Sequence, residues 1–254
     1  MCNYELGAGT RSRNVEHRTA NGAALSHIAV RVHLTHGMPM QIDAMWRYPV
    51  KSLAGEPLRE ASIGFDGIAG DRIVRVVGPE GVRTARRHYR LLGLRGTLDA
   101  DGRARINGYP WDSHEALALV REAAGADAWL ETCETLERFD VLPLLVATDG
   151  AVAAFGRDLR RLRPNIVIGG VDGLTEREWV DGELSIGDAI LRLDSLRSRC
   201  HMITIDPDTL RVNPDILRDV VRRFENRLGL NADVVVPNTI RVGDSVRRVH
   251  APVL

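Results

Sequence analysis

Leu196-Arg197-Ser198-Arg199-Cys200-His201-Met202-Ile203-Thr204-Ile205-Asp206-Pro207-Asp208 sets one cysteine between arginines and an apolar run, and closes in an Asp-Pro turn. Cationic neighbours favour thiolate over thiol, and thiolate is the form that attacks electrophiles or binds a soft metal. Read as a strand, the stretch puts Ser198 and Cys200 on one face and Arg197, Arg199 and His201 on the other. On its own chemistry the cysteine is either a buried apolar filler or a ligand or nucleophile.

Strand and helix signals alternate outward from this stretch. Asp181-Gly182 and Gly187-Asp188 bracket short strands that lead into it. Downstream, Asn213-Pro214 opens a helix whose apolar residues Ile216, Val220, Phe224 and Leu228 keep helical spacing until Gly229. Strands at residues 233–236, 239–242 and 246–249 follow. Upstream, Thr148-Asp149 caps a helix expected over residues 151–162 and ended by Pro164, after a buried strand at 139–147. Its last turn is cationic (Arg160, Arg161, Arg163), which suits a helix C-terminus. Another helix is expected over residues 113–124, with Asp112 or Ser113 as cap and Gly125 as stop.

Before that helix, strands joined by tight turns such as Gly78-Pro79-Glu80-Gly81 point to an antiparallel barrel or sheet. The first strand covers residues 41–48. Lys51 and Ser52, just after Pro49, are either a surface turn or an anion clamp of one charge and one hydroxyl. The glycine-punctuated turn ending in Gly70-Asp71-Arg72 lacks the spacing of a phosphate-binding fingerprint. The class expected is α+β and β-rich: an N-terminal β-barrel domain (41–112), then a second barrel domain with peripheral helices (113–254).

Composition narrows the function. Thirty-four basic residues balance 34 acidic ones, for a net charge of +0, which argues against a dedicated nucleic-acid binder. Three cysteines at wide spacing build no disulfide framework, no Cys-x-x-Cys metal site and no iron–sulfur ligand set. A reducing, cytoplasmic setting follows, and no apolar run is long enough to span a membrane. Residues 1–40 are Arg- and His-rich without an apolar signal core and read as a disordered extension. Within it, His33-Leu34-Thr35-His36 is a weak metal clip.

Several separated segments resemble one family. Trp46-Arg47-Tyr48-Pro49-Val50-Lys51-Ser52, Gly70-Asp71-Arg72 and Thr84-Ala85-Arg86 are similar to the N-terminal β-barrel domain that precedes a MOSC domain. Arg163-Pro164-Asn165-Ile166-Val167-Ile168, Leu184-Ser185-Ile186-Gly187-Asp188, the Cys200 stretch and Thr239-Ile240-Arg241-Val242-Gly243-Asp244 are similar to the MOSC domain itself. The order is that of the mitochondrial amidoxime-reducing component and its bacterial relatives. The resemblance implies a molybdenum cofactor, a phosphate-bearing pyranopterin dithiolene, with Cys200 as the thiolate on molybdenum. It implies that Lys51, Ser52, Arg72, Arg163 and Asn165 hold the phosphate or pterin, and that Ser198 and Arg199 line the cofactor. Arg72, Arg163 and Asn165 also have plainer readings, as a strand-start cation, a helix-end cation and a turn residue. Asp206 either relays a proton or only makes the Asp-Pro turn.

The implied reaction is reduction of an N–O bond in a small N-hydroxylated substrate, with oxygen passing to the Cys-ligated oxo-molybdenum centre. Electrons would come from a separate flavoprotein or ferredoxin-like donor. The rival readings are a sulfur carrier using a Cys200 persulfide and a non-catalytic cofactor carrier. Arg197 and His201 add more charge beside the cysteine than the resemblance leads one to expect.

Overall fold

Polar caps open two of the three helices among the described residues, and a residue with positive φ ends each of the three. The computed structural model describes residues 39–249, so the leading extension and the His33/His36 pair lie outside the described residues. Helix α1 (His114–Ala124) starts where the Ser113 hydroxyl accepts from Ala116 N at 3.1 Å, and stops at Gly125, whose φ is 113°. Its Ala116, Val120 and Ala124, spaced by four, enter a core with Val50, Leu53 and Val74. A helix read as opening the second domain therefore packs on the first half of the chain.

Helix α2 (Asp149–Phe155) is capped by Thr148 and ends at Gly156, in the left-handed region, well before the expected residue 162. Asp158 then caps a separate turn, Leu159–Arg161, by accepting from Arg160 N at 2.8 Å. Arg163 consequently lies beyond any helix end. Helix α3 (Asp215–Phe224) also stops early, because Glu225 and Asn226 both have positive φ. Leu228 and Gly229, read as the end of this helix, belong instead to the strand Arg227–Val236. The strand expected at 139–147 begins only at Leu144, after Pro143.

The main sheet has eight strands, in the order Val246–Val249, Glu183–Ile186, Ala189–Ser198, Arg227–Val236, Leu144–Thr148, Ile166–Gly169, Gln41–Arg47 and Glu56–Leu58. Neighbours are antiparallel except Leu144–Thr148 beside Ile166–Gly169, a parallel pair whose crossover carries α2. Bonds from Ile42 N to Asp244 O and from Val246 N to Met40 O bring the last strand against the first. Three-stranded sheets complete a β-rich α+β chain with three α-helices among the described residues.

The core of this sheet carries one uncompensated acid. Glu176 is 1% exposed; one carboxylate oxygen meets Thr148 Oγ1 at 3.4 Å, while Oε1 and the nearby-in-sequence Trp179 Nε1 are buried with no partner. Burial raises its carboxyl above the ordinary range, against smaller opposing effects of its own backbone N–H and Thr148. A folded state that holds this proton more tightly is stabilised below the ordinary glutamate pKa, and loses that stability as pH rises through the raised value. Glu176→Gln, neutral throughout, should melt on the order of 3 °C higher than the parent at pH 7 and no higher at pH 4. Equal melting shifts at both values would remove the ionisation argument.

Candidate functional site

A cavity of about 680 Å3 opens where the loop after the first strand, the segment before Leu144, the turn before Ile166 and the end of Ala189–Ser198 meet. Ser52, Arg72 and Arg163, all on its wall, hold φ of 76°, 54° and 55°. Left-handed backbone costs such residues roughly 1 kcal/mol each, and such strain collects where a side chain must be aimed.

Asp71 organises one side of the cavity. It is fully buried, accepts from Tyr48 N at 2.6 Å through Oδ1, and through Oδ2 pairs with Arg72 and accepts from Asn165 Nδ2 at 3.3 Å. Asn165 spends the rest of its amide within the protein, donating to Trp46 O and accepting from Leu145 N. Its place is to join strands and hold Asp71. The Arg163 guanidinium sits 4.2 Å from the Tyr48 ring centroid and that of Arg72 5.3 Å. Burial pushes the Tyr48 hydroxyl up to about 12 despite both arginines, so it stays a neutral donor, to Pro164 O at 3.0 Å.

Three of the wall's cations, Arg163, Arg199 and Arg227, have no ion pair among the described residues. Arg163 has no side-chain hydrogen bond or ion pair among the described residues, and burial holds its pKa below the usual arginine range. Arg199 donates to Leu162 O at 2.6 Å, but its Nε is buried without a partner. Burial, then the charge of Arg197, brings it down to about 10. Asp140, on the segment left irregular by Pro143, is shared by Lys51 Nζ (2.9 Å), Arg86 (2.9 Å) and Arg197 (3.4 Å). Burial alone would raise its carboxyl, but Lys51, with Arg86 and Arg197, more than offsets that and holds it below the usual range.

Cys200 lies just past the strand. Irregular pairing between Leu196 and Ser198 breaks the alternation that the sequence suggested, and the strand ends at Ser198. Arg197, Ser198, Arg199 and Cys200 therefore all reach the cavity wall, whereas His201 is exposed and off it. Cys200 is partly exposed and opens the turn His201–Thr204.

Every site residue expected from the sequence lies on this wall except Asp206. That carboxylate accepts from Asp208 N, Thr209 N and Thr209 Oγ1 and pairs with Arg161 at 2.7 Å. Asp206 makes the turn and lies off the cavity wall, so of its two expected roles the structure supports the turn and not the proton relay. Asp71, Tyr48, Asp140 and Arg197 had no assigned role in the sequence reading. One overlooked signal was compositional: Lys51 is the only lysine in a chain that uses arginine for every other basic side chain.

Among the described residues no group of three or more His, Cys, Asp or Glu could hold a metal ion. A metal at Cys200 would need its other donors from a non-protein group. The partnerless buried guanidinium nitrogen, the strained clamp residues and the cationic wall suit such a group if it is anionic.

A MOSC N-terminal beta barrel domain matches residues 39–140 and a MOSC domain matches residues 148–247. The chain belongs to the MOSC-domain proteins that carry this N-terminal domain. It is homologous, at modest identity, to mitochondrial amidoxime-reducing components. Component 1 of Homo sapiens is 27% identical, over 66% of this chain and 67% of that protein. Component 2 of Macaca fascicularis is 24% identical, over 82% and 83%. Among solved structures, the YuaD protein from Bacillus subtilis matches 84% of this chain and 98% of its own at 12% identity, with a TM-score of 0.47. No helix among the described residues is long and apolar enough to cross a membrane.

Proposed function

We propose that this chain is a molybdenum-cofactor-dependent reductase of N-hydroxylated small molecules, with the cofactor in the 680 Å3 cavity and Cys200 as the protein ligand to the metal. The observation that carries this is the set of half-buried arginines without anions among the described residues, Arg163 and Arg199 above all, beside the partly exposed thiol of Cys200. When bound, the cofactor supplies a redox-active, Lewis-acidic metal.

The chain's own residues then bind, orient and exclude water. Lys51 and Ser52, with Arg72 and Arg163, hold the phosphate end by charge and directional donors. Arg199 Nε offers a buried donor to the same ligand, and Asp71 and Asn165 keep Arg72 and the Tyr48 loop in place. Phe139, Val141 and Leu142 give the cavity an apolar wall. The net reaction converts an N–OH group to N–H and water with two electrons and two protons. The electrons come from a separate redox protein of flavoprotein or ferredoxin-like class. A persulfide carrier would need Cys200 alone and leaves the arginine cluster unexplained.

The test is molybdenum and released-pterin content of protein from a cofactor-competent host, followed by benzamidoxime turnover with dithionite-reduced viologen. Near-stoichiometric loading with turnover is expected. In the loaded protein Lys51, the only side-chain amine, should resist amine-reactive labelling. Loaded protein inert towards amidoximes, hydroxylamines and N-oxides would leave only a cofactor carrier. Empty protein with a persulfide on Cys200 would remove both readings.

A further inference from the structure

More cations face the cavity than the cofactor clamp uses. Lys51, Arg72, Arg163 and Arg199 belong to the clamp; Arg86, Arg161, Arg197 and Arg227 remain, of which Arg161 is taken up by Asp206 and Ile203 O. Among the described residues Asp140 is the only carboxylate on the wall, and it is already shared by Lys51, Arg86 and Arg197. Arg197 is held in a fixed pose: it donates to Asn231 Oδ1 at 3.1 Å, and the buried Asn231 in turn donates to Ser195 Oγ at 3.0 Å. Its Nε makes no hydrogen bond among the described residues. Arg227 pairs across the sheet with Ser198, two residues from Cys200. Its backbone carbonyl is fixed by Arg177, while its exposed side chain has no hydrogen bond or ion pair among the described residues.

We propose that the cavity selects N-hydroxylated substrates that themselves carry an oxyanion, recognised beside Cys200 by Arg197 and Arg227. The inference rests on the reductase reading and deepens it. A guanidinium fixed on one edge and open on another favours a carboxylate, and a second, unpaired guanidinium across the strand pair adds charge without a geometric demand. A cationic substrate would meet the same wall as repulsion.

The test pairs para-(hydroxyamino)benzoate with phenylhydroxylamine on the loaded enzyme, with dithionite-reduced viologen as electron source. Each hydroxylamine takes two electrons and two protons, its N–O bond breaks, and the amine and water leave. The carboxylate substrate should have about tenfold higher kcat/KM, the difference lying in KM and shrinking as salt is added. Arg227→Ala should lose most of that preference and Arg227→Lys retain it. Calorimetric titration with para-aminobenzoate and aniline reads the same preference without turnover.

Turnover of both substrates at equal kcat/KM would overturn the inference and leave the reductase reading intact. Absence of turnover with Arg227-dependent binding of aminobenzoate would remove the reductase reading, and with it the inference as a statement about substrates, and leave only an oxyanion-binding site. Arg227→Ala protein that loses cofactor instead of selectivity would assign the cation to the cofactor, which also overturns the inference.

Discussion

Cys200→Ser protein from a cofactor-competent host is expected to lose more than roughly 100-fold of its benzamidoxime turnover, because groups that merely support a metal ligand already cost up to that much when removed. Molybdenum content should fall with it. An alcohol is too weak an acid to supply an anionic donor at neutral pH, and its oxygen is harder than sulfur. The fold should not notice the change. Cys200 is partly exposed and its thiol makes no hydrogen bond among the described residues, so the melting temperature should move by less than about 2 °C. That combination separates a metal ligand from a packing residue. A serine variant with full turnover and full metal would end the ligand assignment.

Asp71→Ala is expected to have the largest effect on stability. The carboxylate is fully buried and neutralises Arg72, while also accepting from Tyr48 N and Asn165 Nδ2. Its removal leaves one cation and two donors without their partner, and breaking a buried ion pair from one side costs about 3–5 kcal/mol. In a chain of this size that is a fall of about 10 °C in melting temperature. Cofactor loading should drop as well, since Arg72 and the loop before Lys51 lose their anchor. Asp71→Asn keeps an acceptor for Tyr48 N and should recover much of the stability, but not the loading. Unchanged melting in the alanine variant would show that Asp71 carries no such burden.

The two effects sit on different links of the chain from sequence to function. Cys200 is expected to act through its own atom, at a place where the neighbouring arginines already point to a thiolate. Asp71 acts through Arg72, Tyr48 and Asn165, and in the sequence it is only one residue of a glycine-punctuated turn. Asp140 is a similar case. It lies on a segment that the apolar run at 139–147 made look like strand, yet Pro143 delays the strand and leaves Asp140 to gather three cations.

Caps and breakers were legible because they act within a few residues. For α1 the cap lay at Asp112 or Ser113 and the stop at Gly125; the structure takes Ser113, whose hydroxyl reaches an amide three residues on, and glycine accepts the positive φ. The same local logic failed for α3, where Leu228 kept helical spacing by coincidence and non-glycine residues, Glu225 and Asn226, took the left-handed turn.

The sequence by itself determined the β-rich class, the ordered motifs and the residue types that line the cavity: one lysine, a serine, arginines and a cysteine. Only the tertiary structure decided how they are held. The Asp71–Asn165 contact spans 94 residues and the Lys51–Asp140 contact 89. No local period encodes such pairings. They follow from which loops the sheet brings to one end, and from burial, which makes each buried charge depend on the partner it finds there.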